Sequence, residues 1–138
     1  MALSATYLAD KSALARFPVA AVARRLRPLM EEGLLATCAI VDLEVLYSSR
    51  NLADYEETLE ERRSLDDAPI TPEVMSRAIE LQHELAGRGQ HRLPIPDLVI
   101  SAAAQVAGLV VLHYDADFER IAAAGGAPHE WVVPQGTA

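Results

Sequence analysis

Residues 94–118 read PIPDLVISAAAQVAGLVVLHYDADF, and the architecture of the chain follows from this segment. Its first part is an alanine-rich apolar run, which predicts a helix over residues 98–107 with Asp97 as its cap and Gly108 just past its end. The leucine and valine run at residues 109–112 is typical of a buried strand. Acidic residues follow that strand directly. The segment therefore predicts a helix, a tight turn, a strand and an acidic cluster, in that order.

Outside this segment, predicted strands and helices alternate along the chain. Further strands are predicted at residues 6–9, 34–36, 69–71 and 130–133. Further helices are predicted at residues 12–16, 18–32 with Pro28 as a kink or break, 38–49 capped by Thr37, 52–65, 72–86 capped by Thr71, and 118–124. Strands that are separated by helices need crossover connections, so we expect an α/β fold with a largely parallel sheet and helices on both faces.

Length and composition predict one globular domain spanning residues 1–138, because 51% of the 138 residues are apolar. No apolar run approaches the roughly 20 residues that cross a bilayer, and no basic segment followed by a long apolar core opens the chain. We therefore expect a soluble, cytoplasmic protein with no membrane partner. The single cysteine, Cys38, lies among apolar residues and is expected to be buried.

The net charge of −8 argues against broad nonspecific binding to nucleic acid, because such binding needs clustered cations and Lys11 is the only lysine. No glycine loop that could cradle a phosphate follows a predicted strand. If the substrate is a polyanion, the acidic residues must be screened, and a divalent metal ion would screen them.

Three aspartates lie where parallel sheets bind ligands. Asp10 follows the first predicted strand and Asp115 follows the strand at residues 109–112, so both are expected at the same edge of the sheet, where the helix that carries Asp97 also begins. Each of them alone could be a cap or a turn residue. Together they would repel one another unless a cation were present, and Mg²⁺ or Mn²⁺ is the cation that prefers carboxylate oxygens. Zinc is disfavoured, because there is no cysteine pair and the four histidines show no ligand spacing.

A further carboxylate lies on the predicted helix over residues 38–49. Helical spacing puts Glu44 beside Ile40 and Tyr47, and a carboxylate on a largely apolar face is unfavourable unless it is paired or bound to a metal. Asp42 is the competing candidate, and periodicity does not choose between the two.

Four motifs in this order resemble the PIN domain, and specifically the VapC toxins of bacterial toxin–antitoxin pairs. They are Tyr7–Leu14, Asp42–Tyr47, Ile95–Ala103 and Val111–Glu119. The resemblance implies a Mg²⁺- or Mn²⁺-dependent endoribonuclease with a three-layer α/β/α sandwich that is usually dimeric. It also implies a VapB-type antitoxin that wraps the toxin, forms higher assemblies with it and can place a basic side chain among the acids.

The resemblance carries the metal-binding acids onto specific positions of this chain. They are Asp10, Glu44, Asp97 and Asp115, with Asp117 as an accessory acid, so that Glu44 is favoured over Asp42. Ser12 matches a small hydroxyl residue that is expected to orient the first carboxylate. Two residues depart from the family pattern. Lys11 stands where Thr or Ala is common, and His113 stands where Thr is common.

The implied reaction is hydrolysis of an RNA phosphodiester bond by a metal-activated water. Candidates for phosphate contacts are Arg88, His91 and Arg92, in the loop before Asp97, and Lys11 by adjacency to Asp10. A phosphoacceptor receiver domain is disfavoured because it needs a lysine after a late strand. The stronger alternative is a noncatalytic PIN-like module that binds RNA or a protein partner, although the presence of all four acids disfavours it.

Overall fold

The computed structural model describes residues 4–138, in which one or two helices separate successive strands. The elements are β1 Tyr7–Ala9, α1 Lys11–Leu14, α2 Ala20–Glu31, β2 Leu35–Thr37, α3 Ala39–Tyr47, α4 Leu52–Arg63, β3 Asp66–Asp67, α5 Pro72–Ala86, α6 Ile95–Ala107, β4 Val110–His113, α7 Asp117–Ala123 and β5 His129–Trp131. Over this range, no helix has both the length and the apolar character that a membrane crossing requires.

The five strands form one parallel sheet in the order β3-β2-β1-β4-β5. The central strand β1 pairs with β2 on one side, where Tyr7 lies opposite Leu35, and with β4 on the other, where Ala9 lies opposite Leu112. The strand order reverses between β1 and β4. In open α/β sheets this reversal creates the crevice, outside the carboxyl ends of the strands, in which ligands bind.

Apolar side chains cover both faces of the sheet, because successive residues of a strand point to opposite sides. Leu8 and Val111 belong to the larger core, which includes α3, α5, α6 and α7. Ala9 and Leu112 belong to the smaller core, which includes α1 and α2. The result is a three-layer α/β/α sandwich, which confirms the predicted fold class. The predicted buried position of Cys38 is also confirmed.

The predicted strand at residues 69–71 is wrong. The third strand is instead Asp66–Asp67, whose residues pair with Ala36 and Thr37 of β2. Pro69 has no N–H group to donate to a ladder, so the strand ends before it. The two acidic residues gave no strand signal, because their pairing is imposed by the tertiary neighbour and not by local preference.

Two predicted caps are also wrong. The sequence places Asp97 and Thr37 at helix N-caps, but Pro94 caps α6 and Cys38 caps α3. Asp97 therefore lies inside the first turn of α6, while Thr37 is the last residue of β2. Pro28 does not break α2, which continues through it to Glu31.

Candidate active site

Asp10 is fixed at the junction of β1 and α1. Its backbone N–H donates to the carbonyl of Leu112 at 2.9 Å, which extends the pairing of β1 with β4, and its Oδ2 accepts a hydrogen bond from the N–H of Ser12 at 3.0 Å. The Ser12 hydroxyl in turn accepts from the N–H of Tyr114 at 2.8 Å. Ser12 thereby joins the loops that follow β1 and β4. Asp10 is only 4% exposed, and this burial is the main cause that raises its pKa.

Asp97 enters the same crevice from the first turn of α6 and is 8% exposed. Its pKa is raised to about 8, first by burial and then by the negative charges of the other acids, which are Asp10, Asp115, Asp117 and Glu44 in decreasing order of effect. The other four acids predicted from the sequence therefore lie close enough to Asp97 to raise its pKa.

The tightest part of the site is a group of three aspartates. One carboxylate oxygen from each of Asp97, Asp115 and Asp117 lies within 4.8 Å of the other two. The loop after β4 holds this geometry, because Oδ1 of Asp115 accepts a hydrogen bond from the N–H of Asp117 at 2.9 Å. Asp117 was predicted as an accessory residue, yet it stands inside this group, while Asp10 and Glu44 influence Asp97 from outside it.

Glu44 and Asp42 have different surroundings in the structure. Oε1 of Glu44 is buried and has no hydrogen-bond partner within residues 4–138. Burial and the negative charge of Asp10 raise the pKa of Glu44, whereas the ammonium group of Lys11 lowers it. Asp42 instead accepts hydrogen bonds from Nε of Arg62 at 2.9 Å and from the hydroxyl of Thr37 at 2.7 Å. Asp42 is therefore committed to a structural ion pair, and Glu44 is the acid on α3 that interacts with the site.

The donor set fits a hard divalent cation. The group offers only carboxylate oxygens, which are the ligands that Mg²⁺ and Mn²⁺ prefer over nitrogen or sulfur. A buried carboxylate oxygen without a partner and a strongly raised aspartate pKa are both features that a bound cation would relieve.

His113 is a site residue whose role the sequence did not predict. It ends β4, is fully buried, and its Nδ1 accepts a hydrogen bond from the N–H of Asp115 at 3.0 Å. The signal available in the sequence was a polar residue placed between a buried strand and an acid. That pattern does not reveal which backbone group the ring would bind.

The candidate phosphate-binding residues fall into separate places. Lys11 lies beside Asp10 and its charge reaches Glu44. His91 and Arg92 line a groove together with Arg120 of α7, which no sequence motif indicated. Arg88 is not in that groove; it pairs with Glu84 at 3.6 Å and lines a different cavity.

Comparisons with known proteins agree with this architecture. The family model described as PIN domain matches residues 8–124. Ribonuclease VapC21 of Mycobacterium tuberculosis is 49% identical over 138 residues, covering 99% of this chain and 100% of that protein. The structure of DNA-bound VapBC from Salmonella typhimurium has a TM-score of 0.72 at 18% identity, covering 94% of this chain and 99% of that chain.

VapBC-5 from Mycobacterium tuberculosis, a member of the VapBC family of toxin-antitoxin systems, has a TM-score of 0.58 at 23% identity. The match covers 92% of this chain and 97% of that chain. At such identities, both solved structures show that the fold is shared.

Proposed function

The chain belongs to the PIN domain family, and from this membership we propose that it is a metal-dependent endoribonuclease and the toxin of a toxin–antitoxin pair. Its likeness to Ribonuclease VapC21, at 49% identity over 99% of this chain, supports the activity. The observation that carries the proposal is the group formed by Asp97, Asp115 and Asp117 at the reversal point of the sheet. Metal-dependent phosphodiester hydrolysis needs a concentrated negative donor set of this kind to hold the cation.

In the proposed mechanism, the acids act as one cation-binding set. Its members are Asp97, Asp115 and Asp117 of the aspartate group, together with Asp10 and Glu44. When bound, Mg²⁺ or Mn²⁺ would polarise the scissile phosphate and lower the pKa of a water molecule. Ser12 keeps the carboxylate of Asp10 in place through its backbone N–H, and the bond from Tyr114 to its hydroxyl keeps the two acidic loops in register.

Positive side chains around the acids would hold the RNA. Lys11 lies on the Asp10 and Glu44 side of the site, where its ammonium group can pair with a phosphate oxygen without leaving the neighbourhood of the carboxylates. His91 and Arg92 lie in the loop that leads into α6, the helix that carries Asp97. Contacts of these side chains with the RNA backbone would orient a phosphate towards the cation-binding set.

The partners follow from the same family membership. We propose a VapB-type antitoxin, a homodimer and a higher toxin–antitoxin assembly, supported by the relation to VapBC-5, which belongs to a toxin-antitoxin family. We propose that it acts in the cytoplasm, where it would meet an RNA substrate. The acidic site and the net charge of −8 suit a partner that presents basic side chains.

The deciding experiment is cleavage of total cellular RNA by the purified, antitoxin-free protein. Reactions contain Mg²⁺, Mn²⁺ or EDTA and are run beside Asp97→Asn. Asp66→Asn is the matched control, because Asp66 lies on the outer strand β3 and accepts only from the hydroxyl of Ser4 among its side-chain contacts within residues 4–138. Discrete fragments that are lost with EDTA and with Asp97→Asn, and kept with Asp66→Asn, are expected. No cleavage by folded, metal-bound protein would refute the enzyme and favour a noncatalytic binding module.

A further inference from the structure

We propose that the groove between the α5–α6 loop and α7 binds the RNA backbone phosphate next to the one that is cleaved, with Arg92 and Arg120 as its anion-binding residues. This inference rests on the proposed function and assigns a substrate contact to Arg120. The groove has a volume of about 420 Å³ and is lined by Gly89, Gln90, His91, Arg92, Leu93 and Arg120.

Both walls of the groove lead directly into the acidic site. The loop wall continues into the first turn of α6, which carries Asp97. The other wall is α7, whose first residue is Asp117. Nη1 of Arg120 donates to Oδ1 of Asp117 at 2.7 Å, and Asp117 belongs to the aspartate group. A ligand bound by Arg120 is therefore one side chain away from the cation-binding acids.

One of the two arginines of the groove forms no ion pair within residues 4–138. The chain has 20 acidic residues against 12 lysines and arginines, so a polyanion is repelled unless cations stand at the site. Many arginines are already neutralised by an ion pair within 4.0 Å, including Arg50, Arg62 and Arg88. Within residues 4–138, Arg92 is one of five arginines that form no such pair, so its full charge remains available to a ligand, whereas Arg120 is paired with Asp117.

The contact with Asp117 leaves several N–H donors of Arg120 free to bind a ligand. A guanidinium group carries five N–H donors in a planar fork, and the contact with Asp117 uses one terminal nitrogen. Arg120 is exposed, so its remaining donors can reach a phosphate while the contact with Asp117 persists. Two arginines and the ring of His91 around one groove match the anionic, multiply accepting oxygens of a phosphodiester better than any neutral ligand.

Fluorescence anisotropy with a labelled RNA 12-mer of mixed sequence tests the groove. The full-length Asp97→Asn protein is used with EDTA, so that the probe is not cleaved. Arg92→Ala and Arg120→Ala are each expected to weaken binding about tenfold at low salt, and to reduce the slope of log affinity against log salt by about 0.7 each. Arg24→Ala is the charge-matched control, since Arg24 is exposed on α2 and has no ion pair within residues 4–138. Its effect should be much smaller.

Arg92→Ala also distinguishes a direct contact with RNA from an indirect effect of a freed carboxylate. Replacing Arg120 frees the carboxylate of Asp117, which could repel RNA by itself, whereas replacing Arg92 frees no acid. Arg92→Lys should recover part of the affinity, because a point charge replaces the fork. If Arg92→Ala changes affinity and salt slope no more than Arg24→Ala, the groove proposal is refuted, whatever the cleavage assay shows. Conversely, loss of binding in Arg92→Ala with no cleavage by the wild-type protein would refute the nuclease and leave the groove standing.

Discussion

Nε2 of His113 lies 2.8 Å from Nδ1 of His129, and the two rings form a short chain that ends at the acidic site. Because Nδ1 of His113 accepts the N–H of Asp115, the neutral ring carries its proton on Nε2 and donates it to His129. The ring of His113 is 0% exposed and packs against Phe118 and Trp131. Burial, followed by the proximity of His129, lowers the pKa of His113 from 6.5 to about 4.

Because His113 stays neutral in the folded protein, we expect the free energy of unfolding to decrease as the pH falls below about 6.5. Between about pH 6.5 and 4 the unfolded chain protonates this histidine and the folded chain does not, so the unfolded state binds more protons. The stabilisation is therefore complete above pH 6.5 and is lost as the pH falls towards 4. Urea unfolding of the wild type and of His113→Gln at several pH values isolates this contribution, and His83→Gln on the exposed side of α5 is the control. Parallel pH profiles for wild type and His113→Gln would contradict the expectation.

Substitutions of the two acids of α3, Asp42 and Glu44, should have different effects on stability and metal binding. Asp42→Asn leaves the buried Arg62 without its ionic partner and is expected to lower the free energy of unfolding by about 2 kcal/mol, with metal affinity unchanged. Glu44→Gln replaces a buried, unpartnered carboxylate oxygen with a neutral group, so the metal-free protein should be as stable as the wild type or more stable. Its affinity for Mn²⁺ should fall at least about tenfold.

Chemical unfolding and calorimetric Mn²⁺ titration of both variants check these outcomes. A stable Asp42→Asn protein that no longer binds Mn²⁺ would reverse the roles of the two acids.

A close packing contact makes Gly126 sensitive to substitution. A Cβ atom at this position would lie 2.6 Å from Cγ2 of Ile121 and 2.8 Å from the hydroxyl oxygen of Ser101, which accepts the N–H of Ala127. We expect Gly126→Ala to lower the free energy of unfolding by about 2 kcal/mol, because buried neighbours on α6 and α7 must shift. Gly87→Ala is the control, since the nearest atom to its Cβ is the carbonyl of Glu84 at 3.3 Å and its φ is −61°. Equal thermal unfolding midpoints for the two variants would show that the contact relaxes freely.

Local signals explain why much of the fold could be predicted from the sequence. The helix ending at Gly108 and the buried strand after it were recognisable because the stop signal and the apolar run lie side by side in the chain. Gly108 takes φ of 74°, the left-handed conformation that glycine adopts at helix ends. The position of Asp10 and Asp115 at one edge then follows from parallel topology alone.

The remaining features depend on contacts between distant residues. The charged residues of α4 give no local sign that one of them is buried, yet Arg62 is buried because Asp42 and Thr37, at least 20 positions away, bind its guanidinium. Periodicity could not choose between Asp42 and Glu44 for the same reason, since the choice depends on which of them meets Arg62. Arg120 looked like an ordinary helix-surface residue until the fold placed it against the α5–α6 loop.

Asp97 should make the metal-free protein less stable as the pH rises. Its folded pKa is raised from 3.8 to about 8, so the folded state binds a proton between these values where the unfolded chain does not. The associated stabilisation is present below pH 3.8 and is lost as the pH rises through about 8. Asparagine does not ionise, so Asp97→Asn should keep the same thermal unfolding midpoint between about pH 6 and 9, while the midpoint of the wild type declines by several degrees.

Mg²⁺ or Mn²⁺ should raise the midpoint of the wild type at pH 8 and leave that of Asp97→Asn nearly unchanged, because ligand binding stabilises only the state that binds it. Thermal unfolding with metal or EDTA measures both effects, and Asp66→Asn should behave like the wild type in each. Equal metal-induced shifts in wild type and Asp97→Asn would remove Asp97 from the cation-binding set.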